Sequence, residues 1–510
     1  MPEITRREFI KNSAALVTGG VLATNGISPD FVEAAEEGGP AAQAAGDVIS
    51  LPKGGGAIQG IGETFKPNLF TGTGNFSVPI ATSPGRGGFG PELTLQYSSG
   101  NGNGPFGMGW ALSVPQISRK TEKGLPRYTD DDTFLLSGAE DLVKADDNPP
   151  ERPNPRLEGI YQVTTYRPRI EGLFARIERW ERLDGSPTDG LNDVFWKITT
   201  KDNITNIYGR TPQATLANPH APRQIYQWLL ELTYDAKGNY VHYEYTAEDG
   251  AGAPDEIYEQ NREPTQIYLK RIRYGNLNPR DFSDLSAVEN LLTTSPASDD
   301  HLFTAVFDYG EHGEIDSEGH EVITENIDHE TNTWDLRLDP FSSFRAGFEI
   351  RTYRRCKRVL MFHNRIPGES NPVLVRSTDF HYTQNNDTAS STLMGVTQRG
   401  YKKSSGSFQS EEIALGEPGV NSEFYEIKSI PRLDFGYTDF KPEQQRFKPF
   451  QARGGDLPPR GLNDPNFALV DLFGTGLSDV LQTTPQGYYL YFAQISGISS
   501  RIPKSVETLC

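Results

Sequence analysis

Apolar and polar residues alternate in short runs along most of this chain. Leu93, Leu95 and Tyr97 alternate with Thr94 and Gln96, and Trp110, Leu112 and Val114 alternate with Ala111 and Ser113. A period of two turns one side of each run toward a core, so these runs are predicted to be strands. The same reading predicts strands at Tyr161–Tyr166, Phe195–Thr200, Ile204–Gly209, Ile267–Tyr274, His301–Tyr309, Phe348–Phe362, Val373–Tyr382 and Ile430–Tyr437. Trp228–Tyr245 is predicted to be a β-hairpin. Asp235–Asn239 supplies its turn, with Gly238 and Asn239 tolerating the left-handed region, and Val241, Tyr243 and Tyr245 line one side of the return strand. The gaps read as polar loops, among them Asn278–Asp300 and Glu411–Ser422, and no long amphipathic helix is predicted after residue 60. The fold class is all-β, with many antiparallel strands.

One stretch, Lys53–Val143, breaks the alternation with dense glycine. It runs through Gly54-Gly55-Gly56, Pro84-Gly85-Arg86-Gly87-Gly88-Phe89-Gly90-Pro91 and Gly100-Asn101-Gly102-Asn103-Gly104-Pro105-Phe106-Gly107-Met108-Gly109-Trp110. Gly102-x-Gly104-x-x-Gly107 matches a dinucleotide-binding string, but its context does not. Pro105 lies inside it, and Gly109-Trp110-Ala111-Leu112 continues as a strand, so no helix N-terminus is there to receive a pyrophosphate. The glycines are therefore expected to turn corners, where the backbone needs positive φ or close approach.

Composition agrees. The 510 residues include 51 Gly and 36 Pro, which suits a β fold with many turns. The net charge of -19 argues against nucleic-acid or anionic-membrane binding. The two cysteines, Cys356 and Cys510, exclude a disulfide framework. Cys356 lies in the strand-like run Tyr353–Leu360 and is expected to be a buried, inert thiol. Cys510 stands in mid-pattern, so the chain is expected to be a fragment of a longer one.

The N-terminus reads as an address. Thr5-Arg6-Arg7-Glu8-Phe9-Ile10-Lys11 has the form of a twin-arginine signal, and Asn12–Ala23 follows as a weakly apolar run too short to span a bilayer. Arg6 and Arg7 are the signal residues. They predict export of the folded protein to the extracellular side, and residues 1–45 are assigned to signal and linker. No other run reaches the roughly 18 apolar residues of a membrane helix.

Candidate chemistry is sparse. Gly-x-Ser-x-Gly, Gly-x-x-x-x-Gly-Lys-Ser/Thr and His-Glu-x-x-His are absent. His312, Glu314, Asp316, Glu318, His320, Glu321, His329 and Glu330 are rich in donors, but their spacing fits no compact zinc motif and reads as a solvated acidic loop. Thr129-Asp130-Asp131-Asp132-Thr133 reads as a solvated turn. No catalytic residue, no cofactor site and no metal site are expected. Asp471-Leu472-Phe473-Gly474-Thr475-Gly476-Leu477-Ser478-Asp479 is spaced like a calcium-holding loop, with oxygen ligands at alternate positions. Phe473 and Thr475 replace two of those ligands, so Asp471 and Asp479 are the metal candidates that remain and calcium is not expected.

Several ordered phrases resemble one family. Lys53–Ile58, Phe76–Ile80, Ser83–Arg86, Gly102–Gly107, Gly109-Trp110, Ile117–Thr121, Lys123–Pro126 and Leu136–Leu142 are similar to the N-terminal domain of the Salmonella virulence plasmid B protein family (SpvB). That domain also begins the B components of insecticidal toxin complexes, and Phe341–Cys356 resembles those B components. The hairpin sequence Tyr234-Asp235-Ala236-Lys237-Gly238-Asn239 looks like a YD repeat of RHS-type shells. The Asp471 loop looks like an FG-GAP/VCBS blade turn, with Tyr488–Phe492 as its next strand. The resemblance covers roughly residues 50–490. It implies a SpvB-like β domain over 46–330, further β-shell strands over 331–450 and the first blade of a propeller over 455–510. It implies a non-enzymatic scaffold that encloses or presents a toxic polypeptide, with a toxin C-component-like chain and a pore-forming A component as partners. Two alternatives stand beside it: a module of an ADP-ribosyltransferase virulence protein whose catalytic domain is absent here, and a secreted adhesin or wall-associated YD-repeat protein.

Overall fold

The computed structural model of the chain describes residues 61–68, 73–138, 140–145, 153–184, 190–294, 300–315, 321–323, 327, 334–369, 371–384, 390–404, 413–415, 423–437, 461–470 and 479–491. Its strands follow the alternation read from the sequence. A four-stranded sheet comes first, β1 (Thr64–Asn68), β2 (Thr73–Pro79), β3 (Thr94–Ser98) and β4 (Trp110–Leu112), in that order. Leu95 stands between Val78 and Leu112 in register, and Val78 and Leu95 are fully buried.

Ten strands follow: β5 (Gln116–Arg119), β6 (Phe134–Leu136), β7 (Glu140–Lys144), β8 (Arg156–Glu158), β9 (Tyr161–Pro168), β10 (Arg176–Arg182), β11 (Val194–Thr199), β12 (Thr205–Tyr208), β13 (Thr215–Asn218) and β14 (Ala221–Tyr234). Antiparallel pairing runs β5–β6–β7–β9–β10–β11–β12–β14 and returns from β14 to β5, which closes a barrel. A barrel of this size is filled by side chains. Here Phe134, Tyr166, Trp196 and Trp228 pack as tilted or edge-to-face rings with centroids 4.9–6.1 Å apart.

The long strand β14 is where the barrel gives way to a second run of strands. Gln227–Leu229 pair with β5, whereas Leu232–Tyr234 pair with β15 (Tyr240–Ala247). Beyond β15 come β16 (Ile267–Asn276), β17 (His301–Asp308), β18 (Gly313–Ile315), β19 (Glu321–Ile323), β20 (Leu336–Ser343), β21 (Ile350–Arg354), β22 (Arg358–His363), β23 (Val373–Gln384), β24 (Ser391–Ser404), β25 (Ile413–Leu415), β26 (Glu423–Ser429) and β27 (Leu433–Asp434). Pairing continues β15–β16–β17–β22–β23–β24–β26, always antiparallel. β17 pairs with β22 across the expected division at residue 330, so both belong to one sheet.

The β14–β15 hairpin has the expected turn. The Asp235 carboxylate accepts from the backbone N–H of Lys237 and of Asn239, and Gly238 has φ +80°. Asn239 does not share the left-handed region, and its backbone N–H and side-chain amide both donate to the Asp235 carboxylate. Val241 and Tyr243 face the main core, with Tyr245 packed on it, while Tyr240 faces a second core with Val163, Phe195, Ile207 and Leu232.

Four segments differ from the expectation, the first being the polar loop at Glu411–Ser422, which contains β25 (Ile413–Leu415), paired with β26. The segment expected as a polar loop at 278–300 contains a helix, α1 (Leu285–Thr293), capped by the Asp284 side chain at Ser286 N–H. Its nine residues bury Val288 and Leu291 on the second core, too short a stripe to stand out by period. The run Phe348–Phe362 is interrupted at 355–357, where Cys356 N–H turns aside to the Pro105 carbonyl. Of Ile430–Tyr437 only Leu433 and Asp434 pair as a strand.

The chain divides into two compact units, the second made of residues 438–510 with 68–72. In it, β28 (Phe467–Val470), β29 (Asp479–Thr484) and β30 (Gly487–Tyr491) form a three-stranded antiparallel sheet.

Candidate functional site

In the glycine loop Gly100–Trp110, several backbone N–H groups are bonded within the protein. Gly104 N–H donates to Asn103 Oδ1, Gly107 N–H to Gly104 O, Gly109 N–H to Gly102 O and Met108 N–H to Ser391 O, all at 2.9–3.0 Å within this frame. The loop is clamped from outside by Arg337, whose guanidinium donates to Gly104 O and Asn103 Oδ1 at 2.9 Å each. Asp339 ties Arg337 to Ser391. Burial would push its carboxyl up, but the bonds from Arg337 and Ser391 more than reverse that and hold it at about 2. The loop is thus the seam between the first sheet and β20–β24. The glycines answer to sterics: a Cβ on Gly107 would stand 3.0 Å from Ser391 O, and one on Gly109 2.4 Å from the Tyr97 ring.

The second signal, invisible to a motif search, is a set of buried ion pairs. Arg354 bonds Glu248 at 2.8 Å, and Tyr268 OH shares that carboxylate. Lys270 pairs with Glu311, Arg351 with Glu259, and Arg358 with Asp308 at 2.6 Å. Lys270 lies between Leu269 and Arg271 on β16, so no gap in the strand pattern announces that its charge is buried. Removing one partner of such a pair leaves the other charge buried and unpaired.

His312 and Glu311 are also buried, so the start of the expected solvated acidic loop is interior. Asp316, Glu318, His320, His329 and Glu330 lie outside the described residues. His312, Asp308 and Cys356 have the residue types of a nucleophilic site, but their states oppose it. Burial, helped by the Lys270 charge, pushes His312 down to about 3. Burial likewise pushes the Cys356 thiol well up, with the Asp308 charge adding to it. The thiol donates to Arg358 O at 3.4 Å. A thiol held protonated is a poor nucleophile, and Cys356 is free and buried, as the sequence led one to expect. Asp132 departs from its expected solvated turn. It is turned inward to Arg119 at 2.7 Å, and that guanidinium also stacks over Tyr128, Phe134 and Trp228.

A cavity of about 170 Å³ lies among Phe106, Leu112, Leu229, Tyr245, Leu269 and Tyr309. Its tyrosine hydroxyls already donate elsewhere, Tyr245 to Leu230 O and Tyr309 to Leu269 O. Among the described residues no group of three His, Cys, Asp or Glu side chains could hold a metal ion. Asp479 is buried at the start of β29, while Asp471, Arg6 and Arg7 lie outside the described residues.

Comparison with known proteins gives this geometry a context. The family model for "Salmonella virulence plasmid 65kDa B protein" (SpvB) matches residues 68–365. The mono(ADP-ribosyl)transferase SpvB of Salmonella choleraesuis is 37% identical over 325 residues, 62% of this chain and 50% of that protein. The chain thus spans about half the length of the curated relatives it matches. The solved N-terminal domain of the effector SpvB from Salmonella typhimurium matches with TM-score 0.55 and 34% identity, over 64% of this chain and 98% of that domain. The crystal structure of TcdB2-TccC3 matches with TM-score 0.65 and 33% identity, over 88% of this chain and 20% of that one. The Photorhabdus luminescens Tc holotoxin pore matches with TM-score 0.67 and 33% identity, over 88% and 19%.

Proposed function

Because the chain belongs to the SpvB family, we propose that it is a non-enzymatic scaffold, a B-component-like part of a bacterial toxin complex. It would help to form a β shell that encloses or presents a toxic polypeptide. The observation that carries this reading is the extent of the two structural likenesses. The chain spans nearly all of the SpvB N-terminal domain, and it also runs further, over most of its own length, along TcdB2-TccC3. The interior supports it: rings fill the barrel, and salt bridges and glycine corners join the strands. Its partners would be a C-component-like polypeptide and a pore-forming A component. The sheet at 467–491 would be the opening blade of a propeller, and Arg6 and Arg7 would direct twin-arginine export to the extracellular side. Among the described residues no helix is long and apolar enough to cross a membrane.

A second reading has one observation in its favour, the name mono(ADP-ribosyl)transferase carried by the curated relatives. The chain would then be the non-catalytic module of such a protein. Co-expression with a C-component-type polypeptide separates the two. The scaffold reading expects a complex that survives size-exclusion chromatography and no NAD hydrolysis by the chain alone. NAD turnover by the purified chain contradicts it.

A further inference from the structure

The glycine turn after β2 holds a contact that the scaffold does not require. Ser83 Oγ and His363 Nε2 are 2.7 Å apart, although 280 positions separate them in sequence. Both residues are half-buried, and so is the contact between them. We propose that Ser83 and His363 form a nucleophile–base pair, an acyl-transfer site that accepts small activated acyl esters.

The surroundings fix both partners. Tyr274 OH donates to Ser83 O at 2.6 Å, and the neighbouring Thr82 hydroxyl donates to Pro91 O. The turn closes tightly behind the serine, since a Cβ on Gly85 would lie 1.9 Å from Phe89 O. His363 ends β22, with its backbone in register between Phe303 and Val373. Its ring meets the Phe303 ring edge-on at 5.0 Å. Burial lowers its proton affinity and the Arg376 guanidinium on β23 lowers it further, so near neutral pH the imidazole is free to accept a proton. Gly87 and Gly88, three and four residues beyond the turn's Pro84, are exposed, and a Cβ on either would meet nothing within 4 Å.

The chemistry balances without a cofactor. Ser83 Oγ bonds to the acyl carbon while its proton passes to Nε2. The ester C–O bond breaks, and the leaving alcohol takes that proton. Water then attacks the acyl-serine with Nε2 as base, releasing the carboxylic acid and restoring Ser83. Among the described residues the charged group that acts on the ring is Arg376, with no carboxylate behind the imidazole. The pair is therefore expected to react slowly.

The test uses the full chain with a fluorophosphonate probe and p-nitrophenyl acetate. The expected result is a single label mapped by mass spectrometry to the peptide holding Ser83, at a rate that rises with pH as the imidazole loses its proton. Ser83→Ala removes the label. His363→Gln lowers its rate at least tenfold, while the melting temperature and partner co-elution stay unchanged. No label on Ser83, or an equal rate in the folded His363→Gln variant, overturns the proposal. An acyl-transfer activity would overturn the non-enzymatic part of the scaffold reading and leave its shell-forming part standing; co-elution with the partner tests that part separately, so either can fail alone.

Discussion

Replacing Gly109 by alanine should cost about 2–5 kcal/mol, whereas the same change at Gly102, seven residues away in the same loop, should cost less than about 0.5. Gly109 has φ +82°, and a Cβ there would stand 2.4 and 2.9 Å from two atoms of the Tyr97 ring and 3.2 Å from Ser98 O. A left-handed alanine costs about 1–2 kcal/mol, and overpacking a filled site costs about 1–3 more. Tyr97 cannot simply swing away, because its ring packs against Trp110 at 5.2 Å and Tyr437 at 5.9 Å. Gly102 has no positive φ and no neighbour within 4 Å of a Cβ. Urea unfolding followed by tryptophan fluorescence measures both, with Trp110 beside the altered site. Equal costs at the two positions, or a Gly109→Ala change below 0.5 kcal/mol, would refute the view that these glycines serve geometry.

Further outcomes follow from the interior. Arg354→Met leaves Glu248 buried with its charge and should cost about 3–5 kcal/mol, part of which Arg354→Met with Glu248→Gln recovers; a double variant as unstable as the single one contradicts the pairing. Trp228→Ala opens a hole among Phe134, Trp196 and Arg119 and should cost about 3–5 kcal/mol by the same unfolding assay. Stability should fall in acid because of His312. Its folded pKa, about 3, lies below the unfolded value of 6.5, so the unfolded chain binds the proton first. Each pH unit lost between those values costs up to about 1.4 kcal/mol, and none is lost above them. Unfolding at pH 7, 5.5 and 4 should show this slope, and His312→Gln should flatten it.

What was legible in the sequence is what has a local cause. Period-two alternation set Leu93 and Leu95 on the core side of their strand, where both are buried, and Tyr-Asp-x-x-Gly-Asn marked the hairpin turn at Asp235–Asn239. Pro105 and the strand after Gly109 argued against a phosphate loop, and the strand is there as β4. Helix α1 was missed because its core stripe is Val288 and Leu291, a signal shorter than one polar loop's noise. The buried pairs were missed because Glu248 and Arg354 are distant in sequence and each looks like a surface residue alone. The Ser83–His363 contact has the same cause, since 280 positions separate its partners and no local spacing announces it. Barrel closure at β14 was equally hidden, because one strand serves β5 at Gln227–Leu229 and β15 a few residues later.

The most direct test of the scaffold claim is limited proteolysis of a C-component-type toxic polypeptide, alone and co-expressed with this chain. The account predicts a stoichiometric complex in which the toxic segment resists protease at concentrations that digest it when free. Equal digestion in both samples, with the two chains eluting apart, would contradict it.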